Sequence, residues 1–136
     1  MKLAIVYFEE KTKKVNKIAN GIKEILVSKG HDADIINGNT DIGKKLTQYK
    51  FIIVGTHSTS LIGGKIPNSV SRFISSCGLL EGKNCFAFIA KSIMGNRKAL
   101  LRLMKCLEKE GMLVIASEIL SNAKEAGNII NNIDLQ

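Results

Sequence analysis

Apolar positions along this chain alternate between two rhythms: near-continuous runs five to seven residues long, and stripes that recur every three or four residues. A strand buried on both faces produces the first rhythm and an amphipathic helix the second. Lys2 to Phe8 is the first run. Val15, Ile18, Ala19, Ile22, Ile25 and Leu26 then form the stripe of a helix predicted over Thr12 to Leu26, with Gly30 placed to cap it. Asp32 to Asn37 is a weaker run, expected at a sheet edge, and Gly38 to Thr40 closes it. Within Asp41 to Tyr49 the pattern predicts one or two helical turns carrying Ile42 and Leu46. Phe51 to Gly55, Asn84 to Ala90 and Met112 to Ser117 are the remaining strands.

Three more helices fill the intervals. Val70, Phe73, Ile74 and Cys77 mark one that has Pro67 near its first turn, where the missing N–H costs little. Leu100, Leu103, Met104 and Leu107 mark a second over Asn96 to Glu110, ended by Gly111. A third runs from Ser121 or Asn122 to Asn132, with Ala126, Ile129, Ile130 and Ile133 at its apolar spacing. Five strands and about five helices in strict alternation predict one α/β domain, a doubly wound three-layer fold with a parallel sheet. Ligands of such sheets sit beyond the carboxyl ends of the strands, where the strand order reverses. The loops to read are therefore Glu9 to Lys14, Thr56 to Lys65 and Lys91 to Gly95.

Composition narrows the picture. At 136 residues the chain can bury roughly two-thirds of its unfolded surface in one core. Its apolar runs are strand-length, which predicts a soluble, cytoplasmic protein with no membrane partner. Cys77, Cys85 and Cys106 are odd in number and lack C-x-x-C spacing, so they read as buried small hydrophobes and not as disulfides or metal ligands. The net charge of +8 favours anionic partners in general. With no Trp and two Tyr, the chain lacks the interleaved aromatics that single-stranded nucleic acid stacks on. Hydrolytic chemistry has no support either, since the histidines are only His31 and His57 and no serine sits in a nucleophile elbow.

The order and spacing of LAIVYF, NKIANGIKEIL, YKFIIVGT, IPNSVSRFI, GKNCFAFIA and ALLRLMKCLEKEGMLVI resemble the flavodoxin family over nearly the whole chain. That resemblance implies strand order 2-1-3-4-5, non-covalently bound FMN and an electron-carrier function. It places the phosphate at Glu9, Glu10, Lys11, Thr12, Lys13 and Lys14. The ring would lie between Thr56, His57, Ser58, Thr59, Ser60 and Leu61 on one side and Lys91, Ser92, Ile93, Met94 and Gly95 on the other.

Two departures stand out. The family's first loop reads Ser or Thr, any residue, Thr, Gly, Asn, Thr, whereas here only Thr12 matches in type and two glutamates replace small residues. A carboxylate about 4 Å from a phosphate costs on the order of 1 to 4 kcal/mol at a surface, which Lys11, Lys13 and Lys14 could offset. Alternatively one glutamate caps the first helix, meeting the N–H groups a phosphate would meet. The second loop has His57 near the family's proline and supplies no aromatic to stack on a flavin; Leu61 or Ile62 could pack there instead. His57 is open to two readings, a flavin contact or a local hydrogen-bonding residue, and Met94 to a ring contact or simple packing.

Lys98, Arg102, Lys105 and Lys109 line one face of the helix after the third loop, a surface for an acidic redox partner or an ordinary solvated face. Three functions follow from these observations. The first is an FMN electron carrier. The second is a flavodoxin-like domain without FMN, acting as a binding or regulatory module. The third is an NAD(P)H-dependent flavin or quinone reductase, for which the short chain leaves little room.

Overall fold

The computed structural model describes residues 2–60 and 63–132. Strand β1 (Lys2–Tyr7), helix α1 (Lys14–Ser28) and strands β2 (Asp32–Asn37) and β3 (Phe51–His57) form the first half. Helix α2 (Ser69–Ser76), β4 (Asn84–Ala90), α3 (Asn96–Lys109), β5 (Leu113–Leu120) and α4 (Lys124–Asn132) follow. All strand pairs are parallel, in the order β2-β1-β3-β4-β5. The order reverses between β1 and β3, so the crevice of this sheet opens at the carboxyl ends of those two strands.

Alternation along the strands divides the core in two. Ala4, Val6, Ile52, Val54, Cys85, Ala87 and Ile89 point to one face, where Val70, Phe73 and Ile74 of α2 and Ala99, Leu103 and Leu107 of α3 cover them. Leu3, Ile5, Tyr7, Ile53, Phe86 and Phe88 point to the other, beneath Val15, Ile18, Ile22 and Leu26 of α1 and Ala126 and Ile130 of α4. Every one of these strand residues is buried, which is why β1, β3 and β4 read as continuous apolar runs. Gly55 is needed where it stands, because a Cβ there would come within 2.0 Å of the Phe88 ring on the neighbouring strand.

Helix ends follow the glycines. After α1 the Gly30 N–H donates to Val27 O at 3.0 Å and the His31 N–H to Leu26 O at 3.1 Å, with Gly30 at φ 86°. These two bonds close a Schellman motif, and Gly111 ends α3 in the same way.

Three expectations are corrected. Residues 41–49 form turns and no helix, so the described residues hold four helices and not five. Gly43 turns the chain at φ 89°, Ile42 is exposed, and Leu46 is buried through a bond from its N–H to Cys77 O at 2.8 Å. Strand β3 continues through Thr56 and His57, which pair with Ile89 and Ala90. Strand β5 likewise runs on to Leu120, beside Ala90, and carries an irregularity: Val114 lies opposite Cys85 and Ala116 opposite Phe86, leaving Ile115 between them. Ile133 lies outside the described residues.

Candidate functional site

The crevice is bordered by the segments that leave β1, β3 and β4. The first comprises residues 8–13. Phe8 donates its N–H to Gly55 O at 3.0 Å, and the Thr56 hydroxyl donates to Phe8 O at 2.9 Å. Thr56 is fully buried, so its side chain belongs to this seam and not to the crevice surface, which removes it from the expected ligand set.

The two glutamates then part. Glu9 turns toward α1, where the Asn16 N–H donates to its Oε2 at 3.2 Å. With Lys13 as the residue preceding the helix, Asn16 is the third residue of α1, and its N–H has no partner within the helix. The Glu9 carboxylate therefore meets the helix dipole and an N–H group that would otherwise be open to an incoming anion. Its main chain is held as well: Asn39 Nδ2 donates to Glu9 O at 2.6 Å, and the Ser69 hydroxyl donates to Asn39 Oδ1 at 2.7 Å. Glu10 presents its N–H to His57 Nε2 at 2.8 Å. Because Nε2 accepts this bond, Nδ1 carries the proton and donates it to Ser58 O at 2.9 Å.

Beyond Glu10 the chain is strained. Lys11 takes φ 58° with a full side chain, a conformation that costs about 1 kcal/mol or more for a residue other than glycine. The Thr12 hydroxyl accepts the Lys14 N–H at 3.2 Å. Lys14 extends away from the loop, its ammonium donating to Lys91 O at 2.7 Å, so its charge sits at the start of the third loop. Lys11 and Lys13 are exposed.

Loops two and three are knitted together. Gly95, at φ 82°, lies so close to loop two that a Cβ would meet Ser58 Oγ at 2.8 Å and Ser60 O at 3.0 Å. Gly64 approaches the start of α3 equally closely, with a Cβ position 2.6 Å from the Ala99 nitrogen. Within loop three the Ser92 N–H donates to Asn96 Oδ1 at 3.0 Å while Asn96 Nδ2 donates to Ser92 O at 2.9 Å. Between the loops lies a cleft of about 200 Å³ lined by Ser58, Thr59, Ser60, Ser92, Ile93 and Met94. A second opening of about 500 Å³ shares Ile93 and Met94 and continues along Gly63, Gly95 and Lys98. Ile93 is 90% and Met94 54% exposed, an apolar ridge at the mouth of the slot. Leu61 and Ile62 lie outside the described residues.

This geometry invites comparison with known proteins. No family profile matches the sequence, and no curated protein matches it significantly. Solved structures do match. Oxidised flavodoxin 1 from Bacillus cereus superposes with a TM-score of 0.76 at 17% identity, covering 98% of this chain and 100% of its own. The chain has the flavodoxin fold. A flavodoxin from Streptococcus pneumoniae gives a TM-score of 0.71 at 18% identity over 88% of this chain and 84% of its own. The two-electron reduced flavodoxin of Megasphaera elsdenii gives 0.66 at 20% over 92% and 95%.

Flavodoxin resemblance implies FMN, and the two ends of that ligand would meet different surroundings. At the ring end, the slot between Ser58–Ser60 and Ser92–Met94 and its apolar ridge suit a flat, largely apolar group. At the phosphate end, the residues do not fit: the Asn16 N–H is taken by Glu9, the Glu10 N–H by His57, and the Lys14 N–H by Thr12.

Four site residues escaped the sequence reading: Tyr7, Asn16, Asn39 and Asn96. Asn16 Nδ2 donates to the Tyr7 hydroxyl at 3.0 Å. Burial, reinforced by the negative charges of Glu9 and Asp41, raises the Tyr7 pKa above its ordinary value. Asn39 had a usable signal, since it follows β2 and the turn there also opens at the carboxyl edge of the sheet. The described residues contain no cluster able to hold a metal ion and no helix long and apolar enough to cross a membrane.

Proposed function

We propose that the protein is a flavodoxin-like electron carrier whose flavin ring occupies the slot between residues 57–60 and 91–95. The observation that carries this reading is the exposed Ile93 and Met94 ridge beside a narrow cleft at the carboxyl edge of the sheet. Apolar side chains exposed side by side at a cleft favour an apolar ligand surface. A bound flavin would supply reversible acceptance of electrons. The chain's own residues would hold the ring between two loops locked together at Gly95, keep water from one of its faces with Met94, and bring the Lys14 ammonium, anchored on Lys91 O, toward it. Positive charge there favours a reduced, anionic ligand.

Lys98, Arg102, Lys105 and Lys109 are all exposed on α3, and a groove of about 610 Å³ between α2 and α3 is lined by Lys65, Arg102, Lys105 and Lys109. This basic surface supports docking of an acidic redox partner. A second reading, a flavin-free binding module, is favoured by the Glu9 cap at the phosphate end. Titration of micromolar flavin with protein, followed by flavin fluorescence, separates the two. Saturable quenching with a Kd below about 100 μM supports the carrier, and no quenching at near-millimolar protein overturns it.

A further inference from the structure

We propose that the Glu9 carboxylate stands in for the phosphate of the ligand, so that the slot takes a flavin lacking its phosphate, of the riboflavin class, in preference to FMN. The inference rests on the flavin reading above and concerns which form of the ligand the chain selects.

Glu9 is clamped from both ends. Its carboxylate accepts the Asn16 N–H at the start of α1, and its carbonyl accepts Asn39 Nδ2, itself held by the Ser69 hydroxyl. An anion is thus built into the chain at the position where the fold otherwise offers N–H groups and the positive end of a helix dipole to a ligand. A phosphate monoester carries about −1.5 to −2 charges at neutral pH, and bringing it to the same donors requires either displacing Glu9 or sitting beside it.

The other groups around the loop do not reverse this preference. The Glu10 N–H is given to His57, and Glu10 adds a second exposed carboxylate. The Lys14 ammonium is drawn to Lys91 O, away from the helix start. Lys11 and Lys13 are the cations left to meet a phosphate, and both are solvent-exposed, where their attraction is screened. A neutral hydroxyl-bearing chain meets no such opposition: it can donate to the Glu9 carboxylate, which a phosphate oxygen without a proton cannot do.

The test is a pair of titrations, riboflavin and FMN, each followed by fluorescence quenching with wild type, Glu9→Gln and Glu9→Ser. Wild type is expected to bind riboflavin about tenfold more tightly than FMN, and each variant to shift that ratio toward FMN by about tenfold or more. As a readout independent of flavin, inorganic phosphate is expected to move the amide resonance of Asn16 in Glu9→Gln and leave it in place in wild type. Wild-type affinity for FMN equal to or above that for riboflavin, or a ratio unmoved by both variants, overturns the selectivity while leaving the carrier reading intact. Failure of both flavins to bind, in wild type and in the variants alike, overturns the carrier reading, and this inference with it.

Discussion

Thr56→Val tests whether the junction of β1 and β3 is structural. The side chain is fully buried and its hydroxyl donates to Phe8 O at 2.9 Å, so valine keeps the shape while removing the donor. Leaving a buried carbonyl without that bond costs about 1 to 3 kcal/mol. Unfolding entropy near 2.1 cal/mol/K per residue gives a chain of 136 residues roughly 0.3 kcal/mol/K, so the melting temperature should fall by roughly 3 to 10 °C. Urea unfolding of the variant and wild type measures the free energy directly, with an unchanged m-value expected because the surface exposed on unfolding is the same. Riboflavin affinity should move less than threefold. Stability within about 0.5 kcal/mol of wild type would refute the seam, and a tenfold loss of affinity at unchanged stability would return Thr56 to the ligand set.

Other perturbations read the rest of the architecture. Lys11→Gly relieves the left-handed residue at φ 58° and should raise stability by about 1 kcal/mol in thermal melts, less whatever the unfolded chain gains in freedom; a destabilised variant contradicts the strain. Gly55→Ala drives a Cβ into the Phe88 ring and should cost about 1 to 3 kcal/mol or more, so a variant as stable as wild type in urea would show the contact to be soft. Burial pushes the Cys77 thiol up to about 11 and Cys85 to about 12 from an ordinary 9.0. Folded values above the unfolded one mean that the stability these thiols contribute is complete below about pH 9 and is lost as pH rises through 11 and 12, on the order of 3 kcal/mol per thiol. Cys85→Ala should flatten the decline in unfolding free energy between pH 8 and 10.5, and an identical slope would count against burial as its cause.

Much of the fold is written in simple periodicity. Strands β2 and β4 begin and end where their apolar runs do, because the flanking residues change character abruptly at Gly38 and Lys91. The errors arise where local pattern and long-range contact disagree. Ile42 and Leu46 stand four apart and imitate a helix, yet Gly43 breaks the turn and Leu46 is anchored by Cys77, distant in sequence. Thr56 and His57 look like loop residues, but their side chains are satisfied by Phe8 O and the Glu10 N–H in the segment leaving β1 and by the adjacent Ser58 O, and the strand continues through them. For the candidate site, an acidic residue before a helix makes a cap foreseeable; which glutamate takes the role depends on Asn39, thirty residues away, gripping the Glu9 carbonyl.

The irregularity at Ile115 bears on how the molecule behaves in company. Strand β5 is the outermost strand on its side, and Leu113 and Ile115 leave 53% and 46% of their surfaces exposed. An exposed apolar border at a sheet edge can recruit strands from other chains. The extra residue breaks the even spacing of amide and carbonyl groups along that border, so an incoming strand cannot match it over its full length. Protection against aggregation is thus built into the strand that the apolar pattern describes least completely.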